Sequence, residues 1–291
     1  DNIERYLASG AAIPQPKIMQ KYPDDSWHGW KYLRIKNGRV FAAVGSPCNT
    51  CLKDQKVFGI MTSWNKTDGS DYKLHATGIR NTVGFDFHPQ QANQLWFTEN
   101  GRDEWGNDRP QFVIIIFLSF FFTIFQISFL FSDELNVLDL SQTTNDLPHF
   151  GFPFCYEKNL SDPQYFTGNC LDGKYIPAQF LLAPHAAAIG MTFYTGSMFP
   201  QQYKSGNIIF IAEHGSWNRD IPIAYRVTMV DTTNPNSYQV FIDGWLQLPK
   251  EGGSNDSDYA WGRPADVLQM KDGSLLISDD KSGTIYRVKY N

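Results

Sequence analysis

The stretch Gly190-Met-Thr-Phe-Tyr194 and the stretch Asn207-Ile-Ile-Phe-Ile-Ala212 that follows it decide the fold. An apolar run, a polar turn and a second run of large residues are typical of two antiparallel strands. The same pair of runs recurs at Lys31-Tyr-Leu-Arg-Ile35 with Arg39-Val-Phe-Ala-Ala-Val44, at Val83-Gly-Phe-Asp-Phe87 with Gln94-Leu-Trp-Phe-Thr98, and at Ala265-Asp-Val-Leu-Gln-Met270 with Ser274-Leu-Leu-Ile-Ser278. The chain therefore repeats one unit that begins with two strands.

Further strand-like runs, such as Thr284-Ile-Tyr-Arg-Val288, follow these copies, whereas helical periodicity is scarce. Each unit thus has about four strands over roughly 40 to 50 residues, which is typical of a β-propeller blade. We predict an all-β fold in which residues 1–291 form a single β-propeller domain. About four blades are visible, and we expect six in the complete propeller, so the domain is expected to be N-terminally incomplete.

Composition excludes some classes of partner. The chain has 291 residues, a formal net charge of −5 and a sequence pI near 5.7. It lacks the concentrated basic surface that would bind a nucleic acid or an anionic membrane. Residue 1 is Asp, and no basic, apolar and small-residue pattern follows it, so a signal peptide is expected to have been removed or not included.

The four cysteines form two local pairs in sequence, Cys48 with Cys51 and Cys155 with Cys170. Two disulfides are the preferred interpretation, and a zinc site or a redox CxxC are the alternatives. N-glycosylation sequons begin at Asn65, Asn159 and Asn255. Both features favour a secreted, extracellular or periplasm-like protein.

One segment does not fit the blade pattern. Residues 112–131, FVIIIFLSFFFTIFQISFLF, carry no charge, and hydropathy alone predicts a membrane helix. The flanking residues 107–110 and 133–136 instead resemble two halves of one loop. Our hypothesis is a translated intron, which the sequence of the transcript tests. The alternatives are a genuine span, which would make the protein membrane-associated, and a buried helix or other insertion.

Polar residues in the turns before the repeated strands are the candidates for chemistry. His28, in Ser26-Trp-His-Gly-Trp30, has an imidazole that could accept a proton near pH 7, or it could be a hydrogen-bonded structural histidine. Arg80 and Asn81 lie in a turn that could line one mouth of the propeller channel. A guanidinium there could bind a carboxylate or developing oxyanion charge, or it could form a surface salt bridge.

Further candidates lie in equivalent turns. The loop Glu99-Asn-Gly-Arg-Asp-Glu-Trp-Gly-Asn-Asp108 is rich in oxygen ligands that suit calcium, although it is not an EF-hand and could be a solvated turn. Glu213-His-Gly-Ser-Trp-Asn-Arg219, Gly262-Arg-Pro-Ala-Asp266 and His185 occupy similar places. No G-x-S-x-G, P-loop, G-x-G-x-x-G or H-E-x-x-H motif occurs, which removes the usual starting points for hydrolase, nucleotide and zinc interpretations.

Taken together, these phrases resemble the pyrroloquinoline-quinone (PQQ)-dependent sugar dehydrogenases, especially the sorbosone and pyranose dehydrogenase branch. The resemblance covers residues 26–290 outside the apolar segment. It rests on WHGWKYL, VGSPCNTC, GIRNTVGFDFHP, FTENGRDEWGNDRP with DELN, HAAAIGMTFYTGSMFP, AEHGSWNR and GRPADVLQMKDGSLLISDD.

The resemblance implies PQQ and Ca²⁺ as cofactors and assigns roles to individual residues. His28 resembles the general base and Arg80 a catalytic residue that stabilises charge on the reduced quinone. Arg80 and Asn81 also match a pair that contacts PQQ. The remaining matches are Asn100 as a cofactor contact, the carbonyls of Gly101 and Arg102 as calcium ligands, His214 where the family has a cofactor-binding lysine, and Arg263 where glucose dehydrogenases carry two arginines.

The expected reaction is oxidation of the C1 hydroxyl of an aldose or pyranose to a lactone, or of a sugar aldehyde such as sorbosone to an acid, with hydride passing to the quinone. An external electron acceptor, a cytochrome or a dye, is expected because Cys51 is followed by Leu52 and no haem-binding C-x-x-C-H occurs. The alternatives are a calcium-dependent lactonase on a related propeller and a non-catalytic or degenerate propeller that acts as a binding module.

Overall fold

The structure is a computed structural model that describes residues 17–104, 132–142, 146–158, 160–165, 168–217, 219–247 and 260–291, together with the backbone of 111–118 and 121–128. Nineteen strands and one short 3₁₀-helix, Gln201–Tyr203, lie within these ranges. The strands are β1 Leu33–Lys36, β2 Arg39–Val44, β3 Ile60–Asn65, β4 Lys73–Ala76, β5 Gly84–Phe87, β6 Gln94–Glu99, β7 Gln111–Leu118, β8 Phe121–Ser128, β9 Glu134–Asp139, β10 Cys155–Tyr156, β11 Leu160–Ser161, β12 Phe180–Leu181, β13 Ala188–Phe193, β14 Ile208–Glu213, β15 Arg226–Asp231, β16 Gln239–Ile242, β17 Pro264–Gln269, β18 Leu275–Asp279 and β19 Thr284–Val288.

Four antiparallel sheets form the blades. Their strand orders are β1-β2-β3-β4, β12-β9-β6-β5, β13-β14-β15-β16 and β17-β18-β19. The repeated pair of runs supplies the first two strands of each blade, which are β1 with β2, β5 with β6, β13 with β14 and β17 with β18. The prediction of an all-β propeller with about four blades is therefore confirmed.

The blades pack face to face, so both faces of the middle strands are buried. In β6, Leu95 and Phe97 pack against the first blade, whereas Trp96 packs against the third. In β14, Phe210 points to the fourth blade and Ile209 to the second. Side chains alternate across a strand, and both sets are apolar here because both faces are covered. Each fully buried side chain of this size contributes about 1.5–3 kcal/mol.

The first strands of the blades lie close together around the propeller axis, with β13 between β5 and β17. Gly84, the first residue of β5, allows this approach, since a Cβ atom there would lie 1.9 Å from the carbonyl oxygen of Ile189. Arg34 in β1 donates from Nη2 to the carbonyl oxygen of Met191 in β13 at 3.2 Å. A close backbone approach and a side-chain hydrogen bond therefore join the inner strands of the first three blades.

Antiparallel pairing puts the start of each inner strand beside the end of the next strand in its blade. The turns before β1, β5, β13 and β17 therefore lie at the same end of the propeller as the turns after β2, β6, β14 and β18. Backbone hydrogen bonds join these turns, from Asn100 N to Asn81 O at 3.0 Å and from His214 N to Ala187 O at 3.0 Å. The polar turn residues that are candidates for chemistry therefore lie at one end of the propeller.

Both predicted disulfides are present, Cys48–Cys51 and Cys155–Cys170. The first closes the loop after β2, and the second begins in the short β10-β11 hairpin. All four cysteines are paired, so none is left as a zinc ligand and the zinc interpretation is wrong.

The apolar segment forms a β-hairpin instead of the helix that hydropathy predicts. β7 and β8 pair along their full length, from Gln111 with Ser128 to Leu118 with Phe121, and their two-stranded sheet is separate from the blades. Ile, Phe, Val and Thr favour strands, which explains why this segment forms a hairpin and not a helix. No helix in the part of the chain that the structure describes is long and apolar enough to span a bilayer.

Removing residues 112–131 should leave the second blade intact. β6 and β9 pair directly across the segment, with Glu99 opposite Glu134, and Gly101 N donates to Asp133 Oδ1 at 3.0 Å. We expect the deletion variant to unfold cooperatively, with the same strand content in circular dichroism and a midpoint within a few degrees of the parent. An equal-length deletion of 223–242, which removes β15 and β16, is the matched control and should abolish cooperative unfolding. The translated-intron hypothesis fails if both deletions unfold the protein alike.

Candidate active site

A cavity of about 510 Å³ opens at the end of the propeller where these turns meet. Five of the residues to which the resemblance assigns a role line it, namely His28, Arg80, Asn81, Asn100 and Gly101, and the candidate His185 lines it as well. The other lining residues are Ser26, Trp27, Asp103, Asp133, Ala187 and Trp217. The structure thus brings together turns from three blades that are far apart in sequence.

The half-buried His28 has a fixed orientation. Its Nδ1 lies 2.7 Å from the carbonyl oxygen of Ser46, and a carbonyl can only accept, so Nδ1 carries the proton. In the neutral ring the lone pair is therefore on Nε2, which is the nitrogen that can accept a proton. Burial, followed by the positive charge of Arg80, lowers the pKa of His28 to about 4. The ring is consequently neutral at pH 7.

The backbone around the cavity is strained. His28, His185 and Ala187 have φ angles of 50°, 57° and 51°, in the left-handed region that side chains other than glycine rarely adopt. Gly45 is needed beside His28, because a Cβ atom at position 45 would lie 2.5 Å from the Cβ atom of His28. Strained residues of this kind persist where surrounding contacts hold them, and they cluster at functional sites.

Arg80 is buried, with 2% of its surface exposed, and its guanidinium is held on several sides. Nε donates to Asn49 O at 2.8 Å and Nη1 donates to Asn100 O at 3.0 Å. Nη2 donates to Asn49 Oδ1 at 3.0 Å and forms an ion pair with Asp103 Oδ2 at 2.7 Å. A guanidinium has five N–H groups, so these bonds leave one N–H on Nη1 for a ligand.

Two buried carboxyl groups support the cavity from behind. Glu99 accepts a hydrogen bond from the backbone N–H of Arg80, and burial followed by the nearby Glu134 raises the pKa of Glu99 well above its usual value. Asp133 accepts from the N–H groups of Gly101 and Ala188, each at 3.0 Å, and burial raises its pKa to about 7. Asp133 therefore joins the turn after β6 to the start of β13.

The other predicted residues lie outside the cavity lining. His214 Nε2 contacts Asp280 Oδ1 at 2.8 Å, and Arg263 donates to the carbonyl oxygens of His214 and Gly215 at 3.0 and 2.7 Å. The Arg263 guanidinium also lies 5.2 Å from the ring centroid of Tyr225. These two side chains brace the cavity wall, since the backbone of His214 is bonded to Ala187.

The side chain of Arg102 also points away from the cavity. It pairs with the buried Asp162 and approaches Gln164 Oε1 at 3.4 Å. The side chain of Arg102 is therefore not a metal ligand at the cavity. The predicted ligand is its backbone carbonyl oxygen. No group of three or more His, Cys, Asp or Glu side chains arranged to hold a metal ion occurs among the described residues.

Sequence reasoning did not single out four residues that contact the site. Asn49 and Asp103 hold Arg80, Asp133 joins two walls, and Trp217 donates from Nε1 to Asp103 Oδ1 at 3.2 Å. Each lies inside a phrase of the family resemblance, in VGSPCNTC, ENGRDEW, DELN and GSWNR respectively. Their presence in such phrases was the available indication, but their partners lie 23 to 114 residues away in the sequence.

The sequence profile of the TrAA12-like family matches residues 53–291. A protein of Borreliella burgdorferi described as uncharacterized is 34% identical over 269 residues, which covers 90% of this chain and 61% of that protein. The chain thus spans about three fifths of the length of this relative.

Solved structures share the fold. The calcium structure of the Trichoderma reesei family AA12 enzyme matches with a TM-score of 0.66 at 16% identity, covering 89% of this chain and 67% of that one. The holo form of the pyranose dehydrogenase PQQ domain from Coprinopsis cinerea matches with a TM-score of 0.64 at 18% identity, covering 92% and 71%. These likenesses show the fold, and with the family match they confirm the resemblance seen in sequence. The chain belongs to the TrAA12-like family of PQQ-dependent oxidoreductases.

Proposed function

We propose that the protein is a PQQ- and calcium-dependent dehydrogenase that oxidises the C1 hydroxyl of an aldose or pyranose to a lactone. The observation that carries the proposal is the arrangement of His28 and Arg80 in one cavity, with the proton of His28 held on Nδ1 by Ser46. A sugar aldehyde such as sorbosone, oxidised to an acid, is the second candidate substrate. Family membership favours this chemistry over the lactonase and the binding module.

The size and lining of the cavity support binding of a planar, anionic quinone. Its volume of about 510 Å³ lies in the usual range for small-molecule sites. The remaining Nη1 N–H of Arg80 offers a charged donor to a quinone or carboxylate oxygen, and Asn81 and Asn100 offer amide groups on the same wall. The rings of Trp27 and Trp217 add aromatic surface at the cavity. Arg80 and Asn81 are therefore the proposed main contacts for PQQ, with Asn100 beside them and His214 and Arg263 supporting the wall.

Calcium is proposed to bind beside this wall. The ligands we assign are the carbonyl oxygens of Gly101 and Arg102, and hard oxygen donors of this kind suit the ion. The hydrogen bond from Gly101 N to Asp133 Oδ1, at 3.0 Å, anchors the start of the turn that carries these carbonyls. When bound, calcium would supply a Lewis acid that polarises the cofactor.

Proton and electrons leave the sugar by separate routes in this proposal. His28 Nε2 takes the proton of the C1 hydroxyl, and its Nδ1–H stays on Ser46 O while the ring becomes charged. When bound, PQQ supplies the two-electron acceptor for the hydride that leaves C1. The C1–O bond gains double-bond character as the hydride departs, which gives the lactone. Arg80, fixed by Asn49 and Asp103, supplies positive charge where negative charge develops.

Reduction of an artificial dye by sugar tests the proposal. We expect dye reduction only when both PQQ and Ca²⁺ are supplied, and we expect titration with PQQ to change the absorbance of the quinone. The variant without residues 112–131 is assayed beside the parent. An absence of cofactor-dependent activity and of any absorbance change in both proteins would refute the proposal. Lactone hydrolysis without PQQ would instead support the lactonase.

The pH dependence of kcat/KM should report the pKa of His28. Its folded pKa of about 4 is lower than the ordinary value of 6.5, so the neutral, proton-accepting form persists until the pH falls through about 4. We expect kcat/KM to stay level from about pH 7 to about pH 5 and to decline below that. NMR titration of the His28 ring in cofactor-free protein measures the same pKa directly. A ring that titrates near 6.5 would contradict the interpretation.

We further propose a sugar substrate, an external electron acceptor and a secreted or periplasm-like location. The two disulfides support an oxidising compartment.

A further inference from the structure

We infer that Asn49, in the disulfide-closed loop of residues 48–51, is a positioning residue that fixes the guanidinium of Arg80 for cofactor binding. Residues 48–51, Cys-Asn-Thr-Cys, form the CNTC loop. The inference rests on the proposed function for its catalytic consequence, but the contacts themselves can be tested without cofactor.

Asn49 contacts Arg80 with two oxygens at once. The backbone oxygen accepts from Nε at 2.8 Å, and Oδ1 accepts from Nη2 at 3.0 Å. Oδ1 also accepts the N–H of Asp103 at 2.9 Å, and Nδ2 donates to the carbonyl oxygen of Asp103 at 3.2 Å. Asn49 therefore links the guanidinium of Arg80 to the loop that carries Asp103, its ion-pair partner.

The contacts require an amide side chain. Oδ1 accepts two hydrogen bonds while Nδ2 donates one, and no shorter side chain offers an acceptor and a donor at these positions. Alanine would remove all the side-chain bonds and leave a buried guanidinium N–H without a partner, which is costly. Aspartate would keep the acceptor toward Arg80, lose the donor and add a negative charge that the guanidinium can pair with.

The CNTC loop is itself anchored to both candidate catalytic residues. Just before it, Ser46 N donates to Arg80 O at 2.8 Å, and Ser46 O accepts from His28 Nδ1 at 2.7 Å. At the far side of the loop, Tyr165 OH donates to Thr50 O at 3.2 Å. The Cys48–Cys51 disulfide joins the two ends of the loop. This short segment thus fixes the position of His28, the proposed base, relative to Arg80, the proposed cofactor contact.

The first test measures the Arg80 side chain in cofactor-free protein. The NMR signal of the Arg80 Nη2–H group that donates to Asn49 Oδ1 should exchange slowly with water in the parent, and Asn49→Ala should speed its exchange at least tenfold. Asn49→Asp should restore slow exchange. The control is Asn169→Ala, an exposed asparagine beside Cys170 that caps its own turn through Leu171 N at 2.9 Å, and it should leave the signal unchanged. The inference is overturned if Asn49→Ala exchanges like the parent or if Asn49→Asp exchanges as fast as Asn49→Ala.

The second test measures PQQ binding by absorbance titration. Asn49→Ala should raise the Kd for PQQ about 10- to 100-fold, as loss of a supporting partner does at metal sites, and Asn169→Ala should not. Equal Kd values for the parent and Asn49→Ala would overturn the inference. A parent that does not bind PQQ would refute the proposed function, and the exchange measurement would then still decide whether Asn49 positions Arg80.

The disulfide gives an independent variant. Cys48 and Cys51 are half-buried, whereas Cys155 and Cys170 are buried. The double variant Cys48→Ser, Cys51→Ser keeps Asn49 but opens the loop, so the Arg80 Nη2–H group should again exchange faster. Slow exchange as in the parent would show that the closed loop is not needed to hold Asn49, which contradicts that part of the inference.

Discussion

Replacing His28 by asparagine should lower kcat for sugar oxidation about 10²- to 10⁴-fold, the usual contribution of a general base. Asparagine can still donate a hydrogen bond toward Ser46 O, so the turn before β1 should keep its support. It has no group that accepts the proton from a sugar hydroxyl at neutral pH. The loss should therefore fall on kcat, while the Kd for PQQ stays within about threefold of the parent.

The matched control for this prediction is His75→Asn. Burial also lowers the pKa of His75 to about 4, but its Nε2 contacts Ser63 Oγ at 2.6 Å, away from the cavity. This variant should keep its kcat. Stopped-flow measurement of quinone reduction separates the chemical step from later electron transfer. A His28→Asn protein that retains more than about a tenth of the parent kcat would show that another group takes the proton.

The architecture was predictable because each blade repeats one local pattern. In β14 every residue from Ile208 to Glu213 is buried, so its apolar run is visible in the sequence without knowledge of its neighbours. The strand β12, Phe180–Leu181, was not predicted. It has two residues, and its place in the second blade depends on pairing with β9 across the 40 intervening residues 140–179. Short strands that depend on distant partners leave little local pattern.

The site was predictable only in part, for a related reason. His28, Arg80 and Asn81 stand in turns before inner strands, and antiparallel pairing brings such turns to one end of a propeller. Whether a side chain enters the cavity depends on its neighbours. Arg263 is drawn to carbonyl oxygens of the adjacent blade and to Tyr225, whereas Asn49 reaches Arg80 from a loop whose path the sequence pattern does not specify.

The apolar segment illustrates the limit of hydropathy. A window average measures how apolar a segment is, but it does not distinguish a helix from a hairpin of similar length. The β-branched and aromatic residues of the segment favour strands, and its backbone forms β7 and β8. The direct pairing of β6 with β9 indicates that the blade does not need the segment.

Replacing Arg80 by alanine should have the largest effect on both stability and cofactor binding. The side chain of Arg80 is 3% exposed and that of Asp103 is 15% exposed, so the variant leaves a largely buried carboxylate without its cation. Removing one partner of a buried ion pair costs about 3–5 kcal/mol. We expect that loss in the free energy of unfolding by urea, together with a rise of at least about 100-fold in the Kd for PQQ.

Two further variants separate the effect on binding from the effect on folding. Lys73→Ala removes an ion pair with Asp71 at 3.4 Å in which the two side chains are 52% and 56% exposed, and it should change the free energy of unfolding far less than Arg80→Ala does. The double variant Arg80→Ala, Asp103→Asn removes both buried charges, so it should regain part of the stability without regaining PQQ binding. A double variant that binds PQQ as the parent does would show that Arg80 stabilises the fold and is not a cofactor contact.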